Sequence, residues 1–325
     1  MKSPIALFAY SRPQHTRLTL DALRANPEAQ DSLLYVFSDA AKDAGASASV
    51  NETRRVLQDI TGFKAVNLVL REENYGLARN ITSGISHVLS EHDSLIVIED
   101  DIAVSPYFLK FMNESLARYR KEPRVGSISG YCYPLRRPVP ETFFIRGADC
   151  WGWATWRNRW QIYNPNGRQL LDELRRRKLV RRFDFDRSVP MSDMLIEQIA
   201  GKNDSWAVRW SASCFLHELL TLYPGRSLVQ NIGNDGTGTH SPGSVSFYDV
   251  ELSQTPVSVG DIPIEENATA RAALGEFFRC ARLCRRNGFL AFARMVAIAL
   301  GIRAIVRALR RRTPPPSMRL PRQAQ

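Results

Sequence analysis

Three carboxylates, Glu99, Asp100 and Asp101, stand in a row after the apolar run of residues 95–98. Adjacent negative charges repel one another, so such a cluster is stabilised when a cation lies among them. Carboxylate oxygens are hard ligands of the kind that Mg²⁺ and Mn²⁺ prefer. Side chains alternate along an extended chain, so a single cation would meet one or two of these acids. The simpler interpretation is a solvated acidic turn.

The apolar run before the acids predicts a short buried strand with the acids at its carboxyl end. Residues 4–10, 33–37 and 65–70 predict three earlier strands, and helix-like segments separate them. This alternation indicates an α/β fold with a mostly parallel sheet covered by helices on both faces. Open sheets of this kind bind ligands at the carboxyl ends of their strands.

Polar residues follow the other predicted strands as well, with Arg12 after the first strand and Asp39 after the second. Their convergence at one sheet edge is typical of a nucleotide site. No glycine-rich phosphate loop of the common forms follows the first strand. Dinucleotide-dependent redox enzymes and P-loop hydrolases are therefore disfavoured.

The second half of the chain contains four tryptophans within residues 151–160. Core packing is the simpler interpretation of each. A glycine at position 152 between Trp151 and Trp153 nevertheless leaves two flat apolar rings beside an accessible backbone, and such rings suit the faces of sugars. Further on, Asp204 precedes an apolar helical segment, where helix capping is the simpler interpretation.

The positive charge is concentrated at the carboxyl end. The chain carries +11, but residues 271–325 contain thirteen arginines and one acid, which leaves residues 1–270 at −1. Bulky apolar residues alternate with these arginines, which predicts an amphipathic helix lying on an anionic membrane leaflet. The alternatives are a helix docked on the body and a nucleic-acid-binding arm. The near-neutral body and the bulky apolar residues count against nucleic acid.

Three features predict a cytoplasmic protein. The five cysteines show neither a paired metal spacing nor an even framework for disulfides, which suits a reducing compartment. The amino terminus has too short an apolar run for a signal peptide. No segment reaches the roughly twenty apolar residues that span a bilayer. With the basic tail, this indicates a peripheral protein on the inner face of the membrane.

In this order, the motifs resemble nucleotide-sugar-dependent glycosyltransferases of the GT-A fold, particularly the N-acetylglucosaminyltransferase I type and its bacterial relatives. The resemblance covers residues 5–240. It is carried by Tyr10-Ser11-Arg12-Pro13, Arg79 with Asn80, the acidic motif at 97–101, Gly152-Trp153, and the region from Asp204-Ser205-Trp206 to His240. It implies a GT-A fold with a nucleotide-sugar-binding half over 1–124, an acceptor-binding and catalytic half over 125–262, and a basic amphipathic helical tail over 263–325.

The resemblance implies a metal-dependent, inverting transfer of a sugar from a nucleoside-diphosphate sugar, a UDP-sugar, to a hydroxyl of a glycan or glycolipid. Asp101 would bind Mn²⁺ or Mg²⁺, which neutralises charge on the departing diphosphate. Glu99 and Asp100 would contact the ribose and the donor sugar. The other residues that the resemblance assigns to the donor are Arg12, Asp39, Arg79, Asn80 and Trp153.

An inverting transfer also needs a general base. In the family, the base directly precedes the tryptophan of an Asp-Asp-Trp motif, whereas this chain reads Asp204-Ser205-Trp206. The base is then Asp204, which we favour, or another acid such as Asp193. His240 is expected to close over the pyrophosphate or to complete the metal shell, although a lone histidine in a loop is usually neither.

Two other functions stay open. One is an inactive relative that binds sugar nucleotides without catalysis. The other is a nucleotidyltransferase that builds nucleotide sugars on a related fold. The second needs a glycine-rich loop after the first strand, and Tyr10-Ser11-Arg12-Pro13 is not one.

Overall fold

A computed structural model describes residues 2–233 and 247–287 of the chain. Within these ranges ten β-strands and ten α-helices form. The strands are β1 (Ile5–Ala9), β2 (Leu33–Ser38), β3 (Ala65–Leu70), β4 (Ser94–Glu99), β5 (Ile102–Val104), β6 (Val125–Ser129), β7 (Thr142–Arg146), β8 (Trp153–Trp156), β9 (Leu220–Pro224) and β10 (Val229–Asn231). The helices are α1 (Pro13–Arg24), α2 (Ser47–Gln58), α3 (Gly76–Glu91), α4 (Phe108–Tyr119), α5 (Arg157–Trp160), α6 (Gly167–Arg176), α7 (Val180–Phe183), α8 (Met191–Ile199), α9 (Trp206–Leu216) and α10 (Ala268–Asn287).

Eight strands form one sheet in the order β3-β2-β1-β4-β8-β6-β9-β7, and β5 pairs with β10 in a small second sheet. Strands β1 to β4 run parallel, and β6 runs parallel to β9. Strand β8 is antiparallel to both of its neighbours, and β7 is antiparallel to β9. The predicted α/β class, with a mostly parallel sheet, is confirmed.

Helices cover both faces of the sheet because its central strands are apolar on both sides. All five residues of β1 are buried. Ile5 and Leu7 join a core cluster with residues of α1 and α4. Ala6 and Phe8 join a second cluster with residues of α3 and α9. This two-sided burial accounts for the uninterrupted apolar runs in the sequence.

The sequence analysis missed β8, which lies between β4 and β6. Its first residue, Trp153, pairs with both Val97 and Ser129. Gly152, just before it, has a φ of 56°, a conformation that favours glycine. Because β8 is antiparallel to β4, the segment that leads into β8 lies at the carboxyl end of β4.

The chain divides into two compact units, Met1–Phe277 and Phe278–Gln325. The first unit contains both predicted halves, and also residues 263–277, which we predicted as part of the tail. The second unit is described only to residue 287, so the predicted tail from residue 288 onward lies outside the described residues. No helix in the described ranges combines the length and apolar character needed to cross a membrane.

Candidate functional site

The acids after β4 lie beside the turn that follows β1. Glu99 pairs in register with Phe8 of β1. The Asp100 Oδ2 atom accepts a hydrogen bond from the backbone N–H of Tyr10 at 2.9 Å. The hydroxyl of Thr19 donates to the backbone oxygen of Asp100, also at 2.9 Å. Asp100 therefore fixes the turn after β1 against the end of β4.

Asp101 is neutralised by Arg12, one of the residues predicted to contact the donor. The Arg12 Nη1 atom lies 2.8 Å from Asp101 Oδ2, and the two side chains are 19% and 21% exposed. The end of β10 encloses this pair. The N–H of Ile232 donates to the backbone oxygen of Asp101 at 2.8 Å, and a Cβ atom added at Gly233 would overlap both Asp101 Oδ2 and Arg12 Nη1.

Burial and mutual repulsion make the three acids reluctant to ionise together. Burial raises the pKa of Glu99 to about 8, with a further contribution from the charges of Asp101 and Asp100. Burial raises the pKa of Asp100 to about 7, and Asp101 adds to that shift. Burial also raises the pKa of Asp101, while Arg12 opposes the increase. A cation at this position would favour ionisation of all three carboxylates.

The oxygen donors present suit a divalent cation that is held by few protein ligands. Among the described residues, no three histidine, cysteine or acidic side chains converge as a cation-binding group. A closed protein cage of the calcium-binding type is therefore not formed by them. A single carboxylate such as Asp101 fits the binding mode of Mg²⁺, which takes one or two carboxylates and completes its shell with phosphates and water.

Asp39 holds the start of helix α3. Its carboxylate is 4% exposed and accepts the backbone N–H groups of Tyr75 at 2.8 Å and Gly76 at 2.9 Å. The side-chain amide of Asn74 adds a third bond at 3.2 Å. Asp39 thus lies at the predicted sheet edge with its oxygens engaged by the chain itself. Its contact with a base or ribose stays a prediction.

Asn80 and Arg79 take different positions on helix α3. Asn80 is 5% exposed, and its side-chain oxygen accepts a hydrogen bond from Arg71 Nε at 3.1 Å. Arg79 is exposed, lies 3.6 Å from the centre of the Tyr75 ring and pairs with Glu73 at 3.1 Å. Of these two predicted donor residues, only Arg79 presents its polar group to solvent.

Asp204 reaches the same sheet edge from the start of α9. The residue that caps α9 is Ser205, whose hydroxyl accepts the N–H of Val208 at 3.2 Å, so the capping interpretation of Asp204 at this helix is wrong. Asp204 Oδ2 instead accepts the N–H of Ala78, in the first turn of α3, at 3.1 Å. Its other oxygen lies 3.4 Å from Arg209, and its side chain is 59% exposed.

The remaining predicted residues do not join this group. Asp193 is exposed on α8, which packs against α6 and α9, and no described contact brings it to the acids after β4. Trp153 is completely buried and stacks on Trp206 with ring centres 5.7 Å apart. The interpretation of Trp153 as a wall for a sugar is therefore wrong, because its ring belongs to the core. His240 lies outside the described residues.

Two polar residues at this edge escaped the sequence analysis. Asp149 and Tyr133 meet where the hydroxyl of Tyr133 donates to Asp149 Oδ2 at 2.7 Å. Both lie in connecting segments, and nothing in their spacing distinguished them. The position of Asp149 directly before the tryptophan-rich segment was the signal available.

A cavity of about 440 Å³ lies elsewhere, against helices α6 and α9. None of the predicted site residues lines it. Its lining residues are Ile162, Asn164, Gln169, Leu170, Glu173, Arg177, Ser213, Leu216 and His217. The cavity is therefore separate from the acids after β4.

No protein-family model matches the chain, and no curated protein matches it. TarS of S. aureus is similar at 15% identity and a TM-score of 0.30, over 46% of this chain and 25% of its own. A UDP-glucose pyrophosphorylase complexed with UDP-glucose is similar at 13% identity and a TM-score of 0.30. The match covers 50% of this chain and 79% of the pyrophosphorylase. Mannose-1-phosphate geranyltransferase of Thermus thermophilus is similar at 15% identity and a TM-score of 0.34, over 72% and 77%. This chain spans a quarter of the length of TarS, and likeness at this level defines no activity.

Proposed function

We propose that the protein is a metal-dependent, inverting glycosyltransferase. It moves a sugar from a nucleoside-diphosphate sugar, a UDP-sugar, to a hydroxyl of a glycan or glycolipid. The observation that carries the proposal is the group of three half-buried acids after β4, with Arg12 bound to Asp101. Such a group is stable with a cation beside it and suited to holding a diphosphate through that cation.

Arg12 supports this function because its guanidinium can serve two partners. In the structure it pairs with Asp101 at 2.8 Å. Guanidinium groups bind phosphate oxygens as readily as carboxylates. Asp101 would hold Mn²⁺ or Mg²⁺, and Arg12 would then be available to bind a phosphate oxygen of the donor. The bound cation supplies Lewis-acid stabilisation of the departing diphosphate.

The other acids have supporting roles. Asp100 holds the turn after β1 through Tyr10, which keeps Arg12 beside Asp101. Glu99 and Asp100 are proposed to contact the ribose and the donor sugar, and Asp39 and Arg79 to border the nucleotide. His240 is proposed to approach the pyrophosphate or the cation.

Asp204 is the proposed general base. Its side chain is exposed and held at the start of α3 by the N–H of Ala78. A carboxylate that is both fixed and open to solvent can accept the proton of an incoming hydroxyl. Asp193 is the second candidate from the sequence, and it is the weaker one because α8 packs against α6 and α9 and no described contact joins Asp193 to the acids.

The membrane-facing part of the proposal concerns the basic tail. The arginines and apolar residues after residue 287 suit an anionic leaflet. A glycolipid acceptor would be reached most directly from that surface. We therefore propose a peripheral protein on the cytoplasmic face of a membrane, without a nucleic-acid partner.

Release of UDP from a panel of UDP-sugars, with Mn²⁺ and a bacterial glycolipid extract, tests the proposal. The wild-type protein is expected to consume one donor in a metal-dependent manner. Asp101→Ala is expected to lose this activity. The matched control for it is Asp93→Ala, because Asp93 precedes the amino end of β4 and its side chain is 65% exposed. Absence of UDP release with every donor, together with absence of donor binding, would overturn the proposed activity.

A further inference from the structure

The segment before β8 is attached to the carboxyl end of β6. The N–H of Gly130, after β6, donates to the backbone oxygen of Gly152 at 2.7 Å. A side chain at Gly152 would overlap Val229. Since β6 and β4 run in the same direction on either side of β8, residues 149–152 lie at the same sheet edge as Glu99.

Trp151 differs from the other three tryptophans of this region. Trp153, Trp156 and Trp160 are 0%, 3% and 7% exposed, whereas Trp151 is half-buried. Its ring meets those of Tyr131 and Tyr248 nearly edge-on, at 4.9 Å and 5.7 Å between centres. Trp151 is thus the one tryptophan of this region with ring surface at the sheet edge.

Asp149 lies within this aromatic group. Its Oδ2 atom accepts the hydroxyl of Tyr133 at 2.7 Å, and its Oδ1 atom accepts the N–H of Cys150 at 2.8 Å. Tyr133 is half-buried, and its ring centre lies 5.3 Å from that of Phe277. A carboxylate has about four lone-pair positions, so Asp149 keeps the capacity to accept another hydrogen bond.

Asp149 also lies at the sheet edge of the acids after β4, because the segment that leads into β8 lies at the carboxyl ends of β4 and β6. After burial itself, the charges of Asp149 and Glu99 both raise the pKa of the Cys150 thiol. The other titratable groups that face Asp149 are Tyr131, Tyr133 and Tyr223.

We propose that Asp149, Trp151 and Tyr133 form the subsite for the acceptor sugar. A sugar ring presents an apolar face that packs on aromatic rings and hydroxyls that donate to a carboxylate. Trp151 and Tyr133 provide the ring surface, and Asp149 accepts a hydrogen bond from an acceptor hydroxyl. The inference rests on the proposed glycosyl transfer and adds where, and through which chemistry, a carbohydrate acceptor is held. Asp149 is a binding residue here, and Asp204 keeps the role of the base.

Saturation-transfer-difference NMR of the full chain with methyl glycosides of glucose, galactose, N-acetylglucosamine and rhamnose tests this subsite. The spectra are recorded with UDP and with Mg²⁺, which, unlike Mn²⁺, is diamagnetic and does not broaden proton signals. Wild-type protein is expected to give sugar-proton signals with at least one glycoside. Asp149→Asn and Trp151→Ala are expected to weaken that binding by about tenfold or more, since each removes a stacking or charge-assisted contact.

Three controls separate the possible outcomes. Asp93→Asn, at the opposite sheet edge, should bind the glycoside like wild type. Tyr133→Phe keeps the ring and removes only the hydroxyl that donates to Asp149. This smaller change tests the subsite even if Trp151→Ala fails to fold. Thermal stabilisation by Mn²⁺ with UDP should be unchanged in Asp149→Asn, which separates the acceptor subsite from donor binding.

Two results would overturn the inference. One is a wild-type protein that binds Mn²⁺ and UDP but gives no signal with any glycoside. The other is a folded Asp149→Asn variant that binds the glycoside as tightly as wild type. Loss of Mn²⁺ and UDP binding in the wild-type protein would instead count against the proposed function itself.

Discussion

The central residue pair of this protein is Arg12 with Asp101. A half-buried carboxylate beside two other acids needs positive charge nearby, and the chain provides it through a guanidinium at 2.8 Å. Because both side chains keep about a fifth of their surface exposed, the pair is open to exchange of partners. The guanidinium of Arg12 thereby offsets the charge of Asp101, at the position where we propose that a cation binds.

At the same scale, Asp204→Asn tests the general base. Asparagine keeps an oxygen that accepts the N–H of Ala78 but cannot take a proton. Turnover is expected to fall on the order of 100-fold or more, with donor affinity changed by less than about threefold. Steady-state transfer rates and donor titrations measure the two effects. A collapse of donor binding would show that Asp204 serves the structure only.

The residues of the candidate site were partly predictable from the sequence. The acids after β4 and Asp39 stand at strand ends, and strand ends can be recognised from local apolar runs. The partners of these acids were not predictable, because each bond joins residues far apart in sequence. The Arg12–Asp101 pair and the bond from Ala78 to Asp204 are examples. Trp153 was misinterpreted because the sequence does not show which indole faces the core.

Among the elements, the end of β10 lies directly beside Asp101. Gly233 leaves no room for a Cβ atom beside Asp101 Oδ2 and Arg12 Nη1. Its backbone is fixed there by Asn231, whose side chain accepts the N–H of Gly233 at 2.9 Å. The sheet of β5 and β10 therefore sets the space available next to Asp101.

Gly233→Ala is expected to displace the Arg12–Asp101 pair. The added methyl group costs about 1–3 kcal/mol of unfolding free energy by overpacking. It also fills the space beside Asp101 Oδ2, so binding of Mn²⁺ with UDP should weaken by about tenfold or more. Denaturant unfolding and calorimetric titration measure these effects. Gly260→Ala is the control, since nothing lies within 4 Å of a Cβ atom there; equal behaviour of the two variants would contradict this assignment.

Elements with local signals were predicted well. Strand β3, expected at residues 65–70, is found at Ala65–Leu70, and the strand expected at residues 33–37 is found at Leu33–Ser38. Strand β8 was missed because it has four residues and exists through its pairing with β4 and β6. So short a segment shows no periodicity of its own. The acceptor subsite that we propose depends on that strand.

For the whole molecule, the shifted acids predict a pH dependence of stability. The pKa of Glu99 is raised from 4.5 to about 8 in the folded protein, so the folded state binds a proton that the unfolded chain has released. The contribution of Glu99 to the free energy of unfolding is complete below pH 4.5 and is lost as the pH rises through about 8. The melting temperature of the ligand-free protein should therefore fall over this range.

The variant Glu99→Gln is expected to flatten that fall, because glutamine does not titrate. Melting temperatures between pH 5 and 8.5 measure the effect. Glu73→Gln is the control, since the Glu73 side chain is 69% exposed. A slope in Glu99→Gln equal to that of wild type would contradict the assignment of the dependence to the acids after β4.

A second whole-molecule prediction concerns the tail. Ala273 and Leu274 are buried in the first unit, so a clean truncation ends after Asn287 rather than near residue 263. The full chain is expected to float with anionic vesicles and much less with neutral ones. The chain truncated after Asn287 should lose this difference and keep its melting temperature. Equal flotation of both proteins would exclude the tail as the membrane contact.

The most direct test of the account is thermal stabilisation by a panel of nucleotide sugars in the presence of Mn²⁺. Wild-type protein is expected to be stabilised by at least one of them, and only when Mn²⁺ is present. Asp101→Ala should keep the fold and lose that stabilisation, along with metal-dependent transfer. Stabilisation of Asp101→Ala equal to that of wild type, or none of the wild-type protein with any nucleotide sugar, would contradict the claim that the acids after β4 hold a cation and a diphosphate.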